Sequence, residues 1–217
     1  MVEIRTFCFN VFNENTHLVF QPGGECMIID PGCHSDKEFL TLKNFIEEYS
    51  LKPVKILNTH CHIDHILGVK KLKREYNIPF YIHAGEKAML DSAEAYAGIY
   101  GIRVFTTPVP DGYLAEGEMV HLAESSWKVL FIPGHSPGHI AFYESAMQKC
   151  IVGDILFLES VGRTDLPGGD HNTLLKGIMN NLYSLPDEVE VYPGHGPNTL
   201  LGHEKKYNPF CRADNVS

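Results

Sequence analysis

The stretch THCHIDHILG, residues 59–68, places four side chains that can bind a metal within six positions. They are His60, His62, Asp64 and His65, and they directly follow a strand pattern at residues 54–58. His60 and His62, two residues apart, can reach one ion from a turn, whereas two histidines on a helix need a separation of about four. The stretch therefore predicts a metal site at the end of a buried strand.

Three other predicted strands also end in polar side chains. An apolar pair followed by Pro-Gly-His occurs twice, as FIPGH at residues 131–135 and as VYPGH at 191–195, and IVGD at 151–154 ends on a carboxylate. Pro and Gly indicate a turn in each of the two histidine motifs. A single histidine is usually a surface or packing residue, but one pattern repeated at four strand ends indicates a site. We expect His135, Asp154 and His195 to join the first four side chains.

Seven donors exceed what one tetrahedral ion uses, which favours a pair of ions roughly 3.5–4 Å apart. We assign His60, His62 and His135 to one ion, and Asp64, His65 and His195 to the other, with Asp154 bridging them. Catalytic roles fall to Asp64 and Asp154. Imidazole and carboxylate donors suit Zn, Fe or Mn. Two divalent ions are expected, with Zn favoured and with Fe, Mn or a mixed pair left open.

Strand and helix patterns alternate along the 217 residues, of which 44% are hydrophobic. Strand patterns cover residues 3–9, 17–20, 26–30, 54–58, 80–83, 119–122, 127–132, 140–143, 150–153 and 189–192. Helical spacing covers 37–49, 66–76, 86–100 and 173–183, the last with Asp170 as N-cap. The prediction is an α/β protein with two mixed sheets packed face to face and flanked by helices, in one domain over residues 1–217.

Composition excludes several other classes of protein. The net charge is −9 and no basic run is present, which argues against a nucleic-acid partner. No apolar stretch reaches the roughly 20 residues that a membrane span needs, and no apolar segment follows the charged N-terminus, so we expect no membrane association and no signal peptide. The six cysteines are scattered and are expected to be reduced. We expect a cytoplasmic protein with a small-molecule substrate.

The motifs as a set resemble a known family. THCHIDH at 59–65, PGHSPGH at 133–139, GD at 153–154 and PGHGP at 193–197 resemble those of the metallo-β-lactamase superfamily. GRTDLPGGD at 162–170 and the ending GHEKKYNPF resemble the short relatives of glyoxalase II, hydroxyacylglutathione hydrolase. The resemblance implies an αββα sandwich, the ligands assigned above, and hydrolysis of thioesters such as S-lactoylglutathione, with the thiol carrier left open.

The expected reaction is attack of a metal-bound hydroxide on the thioester carbonyl, because metals lower the pKa of bound water from about 15.7 to near 7. A thiol with a pKa of about 8.5 can leave as thiolate with little help from an acid. The candidates for substrate binding are Arg163, Asp165, Lys205 and Tyr207. Their alternatives are a loop salt bridge for the first two and a solvated helix end for the last two.

Two further polar residues are candidates for supporting roles. Asp30, at the end of a strand pattern, is expected either to orient a ligand histidine or simply to form a turn. His139, just before another strand pattern, is expected to make a structural hydrogen bond rather than to bind metal.

Three rival functions are open at this point. His60, His135 and Asp154 form the two-histidine, one-carboxylate set of non-haem iron enzymes, and persulfide dioxygenases of the superfamily resemble the chain at THCHIDH and GRTD. A β-lactamase-like hydrolase or a nuclease on the same fold is the second rival. The third is a non-catalytic metal-binding protein, which a complete donor set disfavours.

Overall fold

Two six-stranded sheets, one small hairpin and six α-helices are found in the computed structural model, which describes residues 2–212. The strands are β1 Glu3–Phe9, β2 Glu14–Phe20, β3 Glu25–Ile29, β4 Lys52–Leu57, β5 Phe80–His83, β6 Gly112–Leu114, β7 Met119–Leu122, β8 Ser125–Phe131, β9 Ile140–Glu144, β10 Lys149–Gly153, β11 Leu156–Phe157, β12 Ser160–Val161, β13 Glu190–Pro193 and β14 Thr199–Leu200. The helices are α1 Asp36–Glu48, α2 Ile63–Ile66, α3 Val69–Tyr76, α4 Lys87–Tyr96, α5 His171–Gly177 and α6 Leu201–Tyr207.

The described residues form two units, 2–114 with 121–125, and 115–120 with 126–212. The first unit contains a sheet of order β1-β2-β3-β4-β5-β6, antiparallel from β1 to β3 and parallel from β3 to β6. The second sheet has the order β14-β13-β10-β9-β8-β7. In this sheet β10 and β13 are parallel, whereas β10 with β9, β13 with β14 and β8 with β9 are antiparallel. The predicted pair of mixed sheets with helices is therefore confirmed.

All ten predicted strands are present, with ends that differ by up to three residues. The pattern at 66–76 is interrupted at Gly68, whose N–H donates to Pro31 O at 2.7 Å. A Cβ at this glycine would lie 2.5 Å from Cys33 Sγ, so a close tertiary contact divides the helix. Sequence analysis missed β6, β11, β12, β14 and α2, which are too short for periodicity to reveal. It anticipated α6 only as the helix end named as the alternative role of Lys205 and Tyr207.

The predicted N-cap of α5 is confirmed, because Asp170 Oδ1 accepts the Thr173 N–H at 2.6 Å. The helix continues beyond Gly177 as a π-helical turn, Ile178–Leu182. The pattern at 86–100 is likewise shared between α4 and a 3₁₀ turn, Ala97–Tyr100. No helix among the described residues combines the length and the apolar character that a bilayer crossing requires.

Each unit has its own apolar core beneath the strand ends that matter for the site. In the first unit Ile56 and Leu57, the last residues of β4, are fully buried, and the histidine-rich loop follows at once. In the second unit Val152 of β10 and Val191 of β13 are fully buried just before Asp154 and His195. Burying one such side chain stabilises the fold by about 1.5–3 kcal/mol, so these loops start from well-fixed strands.

Helix α1 offers a test of the local structure away from the loops. Ser35 Oγ accepts the Glu38 N–H at 3.2 Å and Glu38 Oε2 accepts the Ser35 N–H at 2.8 Å, which is a capping box. We expect Ser35→Ala to lower the free energy of unfolding by about 1 kcal/mol, measured by urea denaturation. Lys37→Ala, at an exposed position of the same turn, is the control; an equal loss in both variants would contradict the capping role.

Candidate functional site

The first unit brings together the four predicted donors of the loop after β4. The His60 ring centroid lies 4.8 Å from that of His62 and 4.2 Å from that of His65. Asp64 Oδ2 lies 3.6 Å from His65 Nε2. We call His60, His62, Asp64 and His65 the first donor set. Imidazole nitrogens and a carboxylate oxygen at these separations fit a divalent cation.

Asp30, at the end of β3, organises this loop through a buried carboxylate. Its Oδ1 accepts the Thr59 N–H at 2.7 Å and its Oδ2 accepts the Thr59 hydroxyl at 2.6 Å. The same Oδ2 lies 3.3 Å from His65 Nδ1. Because the Thr59 proton is directed to Asp30, the Thr59 oxygen is left to accept from His60 Nδ1, 3.1 Å away. Of the two roles expected for Asp30, the geometry therefore supports orientation of histidines in the first donor set.

Glu14, at the start of β2, is a buried carboxylate that sequence analysis missed. Its Oε1 lies 3.9 Å from His65 Nδ1, and its Oε2 accepts the Thr16 hydroxyl at 3.0 Å. Burial raises the pKa of Glu14 well above its ordinary value, and interaction with His65 opposes that rise. Every residue of its strand, ENTHLVF, is buried, but the strand pattern recognised in the sequence began only at residue 17 and left Glu14 outside.

The loop backbone is held by further side chains that sequence analysis also missed. Asn58 Nδ2 donates to His65 O at 2.8 Å and to His60 O at 3.2 Å. The buried carboxylate of Glu86 accepts the Cys61 N–H at 2.8 Å. These contacts fix the path of the chain between His60 and His65, so protein side chains hold the backbone that carries the candidate donors.

The second unit brings together His135, Asp154 and His195, which we call the second donor set. Asp154 Oδ2 lies 3.6 Å from the Nε2 atoms of both histidines. His135 is buried and donates its Nδ1–H to Arg163 O at 2.7 Å, which directs Nε2 towards Asp154. The His195 side chain is 27% exposed. One carboxylate oxygen between two imidazoles fits the bridging role expected of Asp154.

His139 lies beneath the second donor set and makes the kind of structural contact that was expected. The ring is fully buried, its Nε2 accepts the Asp154 N–H at 3.1 Å, and its Nδ1 lies 3.1 Å from Ile140 O, to which it donates. The ring therefore holds the Asp154 backbone in place.

The four candidates for substrate binding lie on the surface of the second unit. Arg163 forms two hydrogen bonds of 2.8 Å with Asp165, and this bonding lowers the pKa of Asp165 to about 2. Lys205 donates to Leu185 O at 2.7 Å and to Asp187 at 2.6 Å. The ring of Tyr207 is 4.9 Å from that of His203. Each candidate has a neighbour within the unit, and substrate binding by them stays a prediction.

Comparison with known proteins points to one family. The sequence profile of the Metallo-beta-lactamase superfamily matches residues 10–195. A relative from Haemophilus influenzae, named Hydroxyacylglutathione hydrolase GloC, is 34% identical over 93% of this chain and 94% of its own length.

Two solved structures extend the comparison to the fold. That of TTHA1623 in a di-iron-bound form is 38% identical, with a TM-score of 0.84 over 95% of this chain and 99% of the other. That of BLEG-1 B3 metallo-beta-lactamase is 34% identical, with a TM-score of 0.87 over 96% and 99%. Both likenesses therefore cover nearly the full length of each chain.

The arrangement around Asp30 can be tested without a substrate. We expect Asp30→Asn to lower the free energy of unfolding by about 1–3 kcal/mol. The Thr59 N–H, the Thr59 hydroxyl and His65 Nδ1 all face the carboxylate, and the NH₂ group of an asparagine cannot accept a hydrogen bond from any of them. Urea denaturation measures the change. Asp36→Asn, which alters an exposed carboxylate on α1, is the matched control. Equal stabilities of the two variants would show that Asp30 serves only as a turn residue.

Proposed function

The chain is a metallo-hydrolase of the metallo-β-lactamase superfamily, and from this premise we propose that it hydrolyses thioesters of the S-acylglutathione type. The observation that carries the proposal is the position of Asp154 Oδ2, 3.6 Å from the Nε2 atoms of both His135 and His195. A carboxylate shared in this way supports a pair of ions. The thioester class is supported by the GloC relative, whose name gives hydroxyacylglutathione as its substrate.

The two donor sets fit divalent metal ions by their chemistry. The family resemblance assigns His60, His62 and His135 to one ion and Asp64, His65 and His195 to the other, with Asp154 shared, and the proposal adopts this assignment. Bound ions lower the pKa of water to near 7 and polarise a carbonyl group. Zn is our first choice; Fe is supported by the di-iron form of the 38% identical TTHA1623.

The residues of the chain orient the donors, and the thiolate leaving group needs no proton from a side chain. Asp30 lies against His65, and Arg163 O accepts from His135, so that the Nε2 atoms of both rings are directed away from these partners. A thiol leaves as a thiolate with a pKa of about 8.5, so no side chain has to protonate it. Thioester hydrolysis therefore suits a site built from imidazoles and carboxylates.

A second candidate is hydrolysis of β-lactams, favoured by the 34% identity to BLEG-1 B3 metallo-beta-lactamase. An amide nitrogen is a poor leaving group and requires a proton donor in the transition state. Thioesters make no such demand on the chain, so we place β-lactams second. Nitrocefin turnover by the metal-loaded protein measures this activity directly.

The proposal is tested by metal analysis combined with a panel of thioesters of glutathione, coenzyme A and small thiols. We expect hydrolysis of S-lactoylglutathione, and we expect Asp154→Asn to lower kcat by more than the roughly 100-fold seen when partners outside the ligand shell are lost. Asp91→Asn, an exposed carboxylate on α4, is the control.

Two outcomes would contradict the proposal. The first is oxygen consumption with glutathione persulfide by a protein that leaves every thioester intact, which would establish the iron dioxygenase. The second is rapid nitrocefin turnover by a protein without thioesterase activity, which would establish the β-lactamase.

Arg163 allows a separate test of the thiol carrier. If its guanidinium meets a glutathione carboxylate, Arg163→Gln raises KM for S-lactoylglutathione by about fivefold, as expected for an exposed ion pair. KM for an uncharged small-thiol ester should not change. Asp165→Asn releases Arg163 from its present partner and should lower KM for the glutathione ester. If KM is unchanged in both variants, Arg163 and Asp165 form only a salt bridge within the loop and do not bind the substrate.

A further inference from the structure

We propose that Glu204, on α6, is a positioning residue for the second donor set. It holds the turn of the β11–β12 hairpin, and this hairpin in turn holds His135 and Asp154. The inference rests on the proposed function in one respect, since it takes these two residues as metal ligands. All the contacts involved lie within the second unit.

Glu204 is a fully buried carboxylate, which the fold has to compensate. Its Oε2 accepts the Glu159 N–H at 2.9 Å and the Asn208 side-chain amide at 2.8 Å. Its Oε1 accepts the Thr199 hydroxyl at 2.6 Å. A buried carboxylate is costly unless it is well hydrogen-bonded, and three donors directed at one side chain meet that requirement.

The hairpin that receives these contacts is too small to define its own position. It has two residue pairs, Leu156 with Val161 and Phe157 with Ser160. Glu159, in the turn that joins β11 to β12, adopts a left-handed backbone conformation, with φ of 53°. Because isolated two-stranded hairpins are marginally stable, the hairpin depends on contacts from outside. Glu204 supplies one at the Glu159 N–H, and Asn208 Nδ2 supplies another at Ser160 O, 3.0 Å away.

The two ends of the hairpin lead directly to the metal donors. Asp154 precedes β11, and Arg163, two residues after β12, accepts the His135 Nδ1–H through its carbonyl oxygen. Gly162 is packed so closely that a Cβ there would lie 1.9 Å from Asp154 O and 3.0 Å from His135 Nδ1. Because Gly162 packs directly against Asp154 and His135, a displacement of the hairpin also displaces both donors.

A purely structural role for Glu204, as an anchor of α6, makes a different prediction. In that case loss of the carboxylate lowers the stability of the protein but leaves the orientation of the His135 ring unchanged. A positioning role requires the His135 Nδ1–H to change its environment and metal affinity to fall while the protein stays folded. The two roles are therefore separable by measurements that use no substrate.

The experiment compares three variants with the unsubstituted protein. Glu204→Leu removes the acceptor at similar volume. Glu204→Gln keeps an oxygen for the Glu159 N–H and the Asn208 amide, while the Thr199 hydroxyl can turn to accept from the new amide. Lys206→Ala, an exposed position of the same helix, is the matched control. Zinc affinity is measured by competition with a chelator, and the ¹⁵N–¹H signal of His135 Nδ1 is measured in metal-free protein, both below the melting temperature of every variant.

We expect Glu204→Leu to bind zinc about 10–100-fold more weakly, the range for loss of a residue that orients a ligand, and to shift the His135 signal. Glu204→Gln should restore both, and Lys206→Ala should change neither. Unchanged zinc affinity and an unchanged His135 signal in folded Glu204→Leu would overturn the proposal. If Glu204→Leu does not fold, Asn208→Ser, which removes the contact to Ser160 O, is measured against the same two outcomes. A chain that binds zinc but cleaves no thioester would overturn the proposed function alone.

Discussion

The constraint on which both donor sets depend is the fixed orientation of their buried imidazoles. In the first unit, His60 Nδ1 lies 3.1 Å from the Thr59 hydroxyl and His65 Nδ1 lies 3.3 Å from Asp30 Oδ2. In the second unit, His135 Nδ1 lies 2.7 Å from Arg163 O. An oxygen that accepts from Nδ1, as for His60 and His135, places the ring proton there and leaves Nε2 to coordinate a cation. For His65 the nearby Asp30 carboxylate is an electrostatic contact. Each unit thus prepares its donors with its own oxygen atoms.

Buried carboxylates provide much of this order, and they do so at a cost in stability. Asp30, Glu86 and Glu204 are all fully buried, and each accepts a backbone N–H from a loop that carries or adjoins metal donors. Taking a carboxyl group out of water costs free energy, which hydrogen bonds from the protein have to offset. Their presence beside the donor loops is therefore explained by the geometry that they impose. Enzymes commonly have a lower free energy of unfolding than their fold would allow, because the active site requires a particular geometry.

Long elements with a clear period were predictable, and short ones were not. Buried residues alternate at Ser125, Trp127 and Val129 of β8 and recur at every third to fourth residue of α1, and such periods are visible in the local sequence. The break at Gly68 depends on Cys33 and Pro31, which are distant in sequence. The β11–β12 hairpin has only two residues in each strand, and its position depends on Glu204, more than forty residues later. No local window contains that information.

The amino-acid sequence by itself pointed to the candidate donors, because histidines and carboxylates at strand ends form a pattern of spacing and turn residues that needs no coordinates. It also determined the superfamily, since the four motifs occur in order along the chain. Only the tertiary structure decided which oxygen lies beside Nδ1 of His60, His65 and His135, and which buried carboxylates hold the loop backbones. Glu14, Glu86 and Glu204 look like ordinary acidic residues in the sequence, because burial and the direction of a hydrogen bond arise only when remote segments pack together.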